Sequence, residues 1–186
     1  AQFFSIEETY ELGVLDQYHR YLGCAIDGMD MTFEPNDTAR IGFDIMAREL
    51  TVAGTAISGA TYSAPNAYAM PATTAGIASV TWGGITATPI VQSVRINVRN
   101  NWMRRPVWDD ARSTRFGIGM QDVTGEVVCY FDDYQIYQEI YTQSTASLAF
   151  TYGVTTNQKY TITIPQISWG DGAVSSRTRD TDLTVT

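Results

Sequence analysis

Lysine is almost missing from this chain. Lys159 is the only one in 186 residues, and Lys plus Arg 12 stand against Asp plus Glu 20, a formal net charge of −8. That balance has the wrong sign for gripping a phosphate backbone, so a nearby nucleic acid would be repelled rather than held. Histidine is as scarce: His19, in Asp16-Gln17-Tyr18-His19-Arg20-Tyr21, stands alone. Beside two tyrosines it reads as a structural hydrogen-bonding residue, and no G-x-S-x-G elbow offers it a nucleophile. Cys24 and Cys129 lie far apart, outside any C-x-x-C pair. They read as half-buried free thiols of a reducing compartment, with a single bridge as the alternative. No apolar run approaches the roughly 20 residues of a membrane span. The opening Ala-Gln-Phe-Phe-Ser lacks a basic stretch followed by an apolar one, so we expect no signal peptide and a soluble chain made in the cytoplasm. No His/Cys/carboxylate group has metal-ligand spacing. Asp27-Gly28-Met29-Asp30 resembles a calcium loop only until Met29 and Met31 occupy places where oxygen ligands should recur. No glycine loop precedes a helix in the way phosphate binding requires. Neither a metal nor a cofactor is expected.

What is present is strand alternation. A chain of this length suits a single domain over residues 1–186 and can bury roughly 70% of its unfolded surface without a staple. From Gly23 to Leu50 the sequence reads as one hairpin turning at Pro35-Asn36-Asp37. Met29, Met31 and Phe33 alternate with Asp30, Thr32 and Glu34; then Ile41, Phe43 and Ile45 alternate with Arg40, Gly42 and Asp44. A period of two separates a greasy side from a wet, mostly acidic one, and the greasy side needs a core to lie on. Further strands are predicted at Phe3 to Glu8, Ile90 to Arg99, Thr114 to Met120, Gly125 to Phe131, Ser147 to Tyr152, Lys159 to Pro165 and Asp182 to Thr186. The hairpin strands are read as Cys24 to Glu34 and Ala39 to Ala53. Pro165 cannot donate to a ladder and should end its strand. Asp132 to Thr142 instead carries Ile136, Tyr137, Ile140 and Tyr141 at helical spacing, with Asp132 or Asp133 placed to cap it and acids in its first turn to favour the dipole.

Residues 54–89 are nearly uncharged and rich in Ala, Thr, Ser, Gly and Pro, yet hold Ile57, Tyr62, Tyr68, Met70, Ile77, Val80 and Trp82. Long loops in compact domains are usually functional and exposed apolar residues mark contacts, so this stretch reads as an arm that orders against a neighbouring subunit. A pair of weak strands continuing the sheet is the alternative. Arg104 and Arg105, next to Trp102 and followed by Asp109 and Asp110, read as partners for acidic residues of an adjacent subunit. Two other functions use the same residues. Trp82, Trp102, Trp108 and Trp169 could form sugar-stacking platforms of a carbohydrate- or receptor-binding β-sandwich. Paired acids could serve a glycan hydrolase, but no acid, base and nucleophile converge.

The order of these segments carries a resemblance. Phe3-Phe4-Ser5-Ile6-Glu7-Glu8, then Tyr21 to Asp27 leading into an alternating strand, then Pro89 to Val98, then Gly119 to Val127 leading into the helix, then Ser147 to Tyr152 and Ile162-Thr163-Ile164-Pro165, together resemble the bacteriophage major tail tube proteins, over most of the chain except 54–89. The resemblance implies a mainly β fold: a β-sandwich or barrel with one short flanking helix and a long extended loop, its strands joining an inter-subunit barrel. It implies a structural virion protein and not an enzyme. Six copies would form a ring, and rings would stack into a hollow tail tube. The tube would house the tape-measure protein and pass DNA during ejection without holding it. Tail terminator, distal tail and sheath proteins are further partners in such tails, and no membrane is involved. Closing a barrel across subunits removes sheet edges, and an acidic lining would let phosphates slide. On this reading Asp30, Glu34 and Asp44 face the lumen; Arg40, Arg95 and Arg99 sit on comparable faces, so either the lining is mixed or one of these strands faces outward. Ile57, Tyr62, Tyr68, Met70, Trp82, Arg104 and Arg105 make inter-subunit contacts. The tail-tip binding sandwich stands as the alternative.

Overall fold

The computed structural model of the chain describes residues 2–13, 15–34, 37–64, 77–83, 90–108, 110–130, 134–152, 159–170 and 184–185. These form β1 (Phe4–Tyr10), β2 (Gln17–Phe33), β3 (Arg40–Met46), β4 (Glu49–Ala53), β5 (Ile77–Trp82), β6 (Val91–Arg99), β7 (Met103–Val107), β8 (Asp110–Gly117), β9 (Asp122–Tyr130), α1 (Tyr134–Thr142), β10 (Thr145–Tyr152), β11 (Tyr160–Ser168) and β12 (Thr184–Val185). Among the described residues the fold is mainly β and sandwich-like with one short helix, as the resemblance implies, and its sheets are open. One sheet runs β1-β2-β6-β9-β12, with β3 and β4 also paired to β2; a second is β11-β10-β5; β7 and β8 pair with each other.

The chain divides into two compact units. The first is drawn from Ala1–Asp30, Gly42–Tyr68 and Asn97–Val123. Its longest strand, β2, carries a bulge. β1 pairs Phe4 with Cys24 but Ile6 with Tyr21, so β2 spends one more residue than β1 over that step. Gly23, at φ 60°, supplies the left-handed backbone there that a side chain would resist. The Cys24 thiol donates to the Tyr21 carbonyl across the kink at 3.2 Å. Opposite it, the Arg48 amide donates to Leu22 O at 3.1 Å, at the break where the single strand expected over Ala39 to Ala53 becomes β3 and β4. Cys24, Ala25 and Phe116 are buried, with Phe3 stacked on Phe116 and Trp102 meeting it edge-on.

The second unit comprises Met31–Ile41, Ala69–Ile96 and Thr124–Thr186. Here alternation gives a core directly: Ala146, Leu148, Phe150 and Tyr152 of β10 are buried in turn. Phe33 meets Phe150 edge-on at 5.1 Å. Ile136 of α1 packs with Trp82, Cys129 and Ala146, flanked by Ile140 and Trp169. The helix falls where its spacing predicts, but only Ile136 and Ile140 turn inward. Tyr137 and Tyr141 are exposed, and its first turn holds no acid. The expected caps Asp132 and Asp133 lie outside the described residues. β11 does not stop at Pro165. Its register with β10 shifts from Leu148↔Ile164 to Ala146↔Ile167, an extra residue that places the proline in a bulge where no ladder donor is needed. Neither cysteine forms a disulfide, and both are fully buried rather than half-buried.

Candidate functional site

The wet face of the opening hairpin is built as the alternation predicts, but it is not an acidic surface. In the first unit Arg99, from β6, reaches two carboxylates. Its Nη2 lies 3.2 Å from each oxygen of Asp30, and its Nη1 donates to Asp44 of β3. Asn97 Nδ2 donates to the same Asp30 at 2.5 Å. The bridge to Asp44 passes over Gly28 of β2, where a Cβ would stand 2.8 Å from Asp44 Oδ2 and collide with the guanidinium. Glycine at that position is what lets two strands join charges across a third. The Asp44 hydrogen bond, more than any other contact, raises the Arg99 pKa above its ordinary value, against a burial that lowers it.

The second unit repeats the pattern. Arg95 Nη2 sits 2.8 Å from Glu34, and Arg40 sits 3.4 Å from Asp37. Thr32, Glu34, Asp37, Thr38, Arg40 and Arg95 line a cleft of about 390 Å³. Glu34, by its hydrogen bond and then its charge, raises the Arg95 pKa. Asp30, Glu34 and Asp44 therefore each face an arginine. The sequence showed the acids because they share a period; the pairings join residues 55 to 69 positions apart and left no local signal. Such a face carries carboxylates and guanidiniums committed to one another, with little left to attract phosphate. Among the described residues no group of three or more His, Cys, Asp or Glu could hold a metal ion. The His19 ring lies tilted against that of Tyr10, at 51° with centroids 4.6 Å apart.

The residues expected at subunit contacts scatter. Trp82 is a correction: at 4% exposure it is core, stacked on Trp169 at 4.3 Å, because Ile77–Trp82 of the supposed arm forms β5 and pairs with β10. Strand formation is thus right for that end of residues 54–89. Ile57 and Tyr62 are exposed at the surface, yet their segment is tied to its own chain. Glu7, 6% exposed at its side chain, accepts from Arg20 Nε at 2.6 Å, Tyr62 OH at 2.5 Å and the Ile57 amide at 3.4 Å, while Arg20 also donates to Thr55 O. Sequence reading missed this node; its residues stand 13 to 55 positions apart. Tyr68 and Met70 lie outside the described residues. Arg104 and Arg105 are exposed on β7. The four tryptophans do not form one sugar platform: Trp82 is core and stacks on partly buried Trp169, Trp102 donates to Ile26 O, and Trp108 is fully exposed.

A mainly β chain with an open sheet, a charge-balanced strand face and no reactive constellation among its described residues fits a scaffold. Compared with protein families, residues 1–186 match the one described as phage tail tube protein. This chain belongs to the phage tail tube protein family. No curated protein matches it. The tail tube chain is therefore a structural component of the virion tail, not an enzyme, and it assembles into a multi-subunit tube. No helix among its described residues is long and apolar enough to cross a membrane.

Proposed function

We propose that the tail tube chain forms hexameric rings that stack into a hollow conduit, enclosing the tape-measure protein and then passing DNA, with the face bearing Asp30, Glu34 and Asp44 turned to the lumen. Terminator, distal tail and sheath proteins would meet its ends and outer wall. Strand β3 carries the reading. One of its sides holds Asp44 in the Arg99 bridge; on the other, Ile41, Phe43 and Ile45 are 54, 51 and 44% exposed. Among the described residues β3 pairs only with β2. An edge strand with an uncovered apolar side is a liability in a monomer and a seam in a ring, where a neighbour's strand and core cover it. A sheet that stays open in one chain gains closure from its copies. The test is electron microscopy of the purified chain over a concentration series, with and without preformed tube seeds. Six-fold rings or hollow tubes are expected; a monomer at every concentration, seeds included, would overturn the proposal.

A further inference from the structure

We infer that the strand covering the open edge of β3 in a tube is β9 of a second copy. This names the partner of the seam proposed above and rests on that reading. Arg99 of β6 reaches Asp44 of β3 across Gly28 of β2, so β3 and β6 flank β2, and β9 follows β6. The row β3-β2-β6-β9 therefore has β3 at one end and β9 at the other. Among the described residues β12 meets the far side of β9 only at Cys129 and Tyr130. Of the nine residues of β9, that leaves Asp122 to Val128 as an open edge, seven residues long like β3. β1 is another open edge, but it flanks the part of β2 that pairs with β4 and so ends a different row. A contact from one end of a row to the other is head-to-tail. Such contacts close rings, whereas β3 meeting β3 would stop at a dimer.

The side chains of the two edges also match. β3 presents Ile41, Phe43 and Ile45 on its greasy side and Arg40, Gly42 and Asp44 on its wet one. β9 alternates in the same way. Val127 packs on the second unit's core and Cys129 lies within it, so exposed Val123 belongs to the greasy side. Glu126 lies within electrostatic reach of Arg95, on the wet side. Between Val123 and Val127, Gly125 leaves a gap, since a Cβ there would stand 2.9 Å from the Arg95 carbonyl oxygen. Glycine inside a strand marks a place where another backbone approaches closely, and an aromatic side chain on the paired strand covers such a gap. With the two edges aligned over their full length, the middle residue of β3 is Phe43 and that of the β9 edge is Gly125. The exposed Phe43 ring then lies over the gap, with isoleucine and valine paired on either side. On the wet side, exposed Arg40 comes to a strand that carries Asp122 and Glu126.

Chains with one added cysteine each, Ile41→Cys, Ile45→Cys or Val123→Cys, test the pairing when assembled in mixtures under mild oxidation. All three positions are exposed, and native Cys24 and Cys129 are 0 and 1% exposed, so they do not compete. Val123→Cys should give covalent dimers with Ile45→Cys if the seam is antiparallel, or with Ile41→Cys if it is parallel. No chain should give them alone. Phe43→Lys should lower tube yield at least about tenfold, because the seam would strip water from its ammonium group. A thermal melt matching the wild type excludes misfolding of that variant, and the cross-links are read independently of it. Tubes cross-linked by Ile41→Cys or Ile45→Cys alone, mixed tubes without a cross-link, or wild-type yield from Phe43→Lys would each overturn β9 as the partner and leave the conduit reading standing. If the wild-type chain forms no tubes, the conduit reading fails by itself; the cross-link is then sought in the concentrated mixture, and its absence there overturns the pairing as well.

Discussion

Glu7 is nearly buried, yet three donors converge on it. The Tyr62 hydroxyl first, and the Arg20 guanidinium next, hold its carboxyl below the ordinary value, while burial pushes the other way. A carboxylate whose pKa is lower folded than unfolded stabilises the fold fully above the unfolded value of about 4.3 and loses that contribution as pH falls through the lower folded one. The segment around Ile57 and Tyr62 should therefore stay fastened at neutral and mildly acid pH and loosen only below that range. Followed by nuclear magnetic resonance, the Tyr62 ring and Ile57 amide signals should titrate together with a midpoint under about 4.3. Tyr62→Phe removes the largest cause, so the Ile57 midpoint should move upward. An unchanged midpoint would mean that the hydroxyl does not set the charge state of Glu7.

At the scale of elements, burial decides what a change does. Ile136 is the buried residue of α1, 1% exposed among Trp82, Cys129 and Ala146. Ile136→Ala should cost about 2–5 kcal/mol, from lost transfer energy plus a cavity, read as a lower midpoint in denaturant at unchanged slope. A loss below about 1 kcal/mol would show that the helix is not anchored there. Removing residues 54–89 would take β5 and the core residue Trp82 with it, so unfolding is expected. Elements were legible where alternation is strong, as in β2, β6 and β10. β5 was obscured by its small, uncharged neighbours. β7 was hidden because Arg104, Arg105 and Pro106 break any apolar period, and its pairing with β8 needs register shifts. Continuation of β11 past Pro165 depended on a bulge, which a single strand cannot announce. The exposed side of β3 was likewise unreadable. Periodicity marks a greasy face but not whether its own chain covers it.

For the whole molecule, net charge and local charge lead to different expectations. A tube of such chains would be strongly acidic in total, yet Asp30 and Asp44 are held by Arg99, and Glu34 by Arg95. If this face lines the lumen, DNA meets paired charges, and slipperiness comes from balance at the surface plus the acidic bulk behind it. Changing the acids to lysine would set like charges beside the arginines and confuse misassembly with altered passage. Asp30→Asn, Glu34→Gln and Asp44→Asn preserve shape and leave the guanidiniums unanswered. Tubes should form, and ejection should slow because exposed cations hold phosphates. Since that attraction releases counterions, added salt should restore the rate. Changing Arg95 and Arg99 to glutamine should not slow ejection, because it removes the cations and leaves carboxylates. Particles whose ejection rate ignores the acid substitutions at low salt would place this face away from the channel.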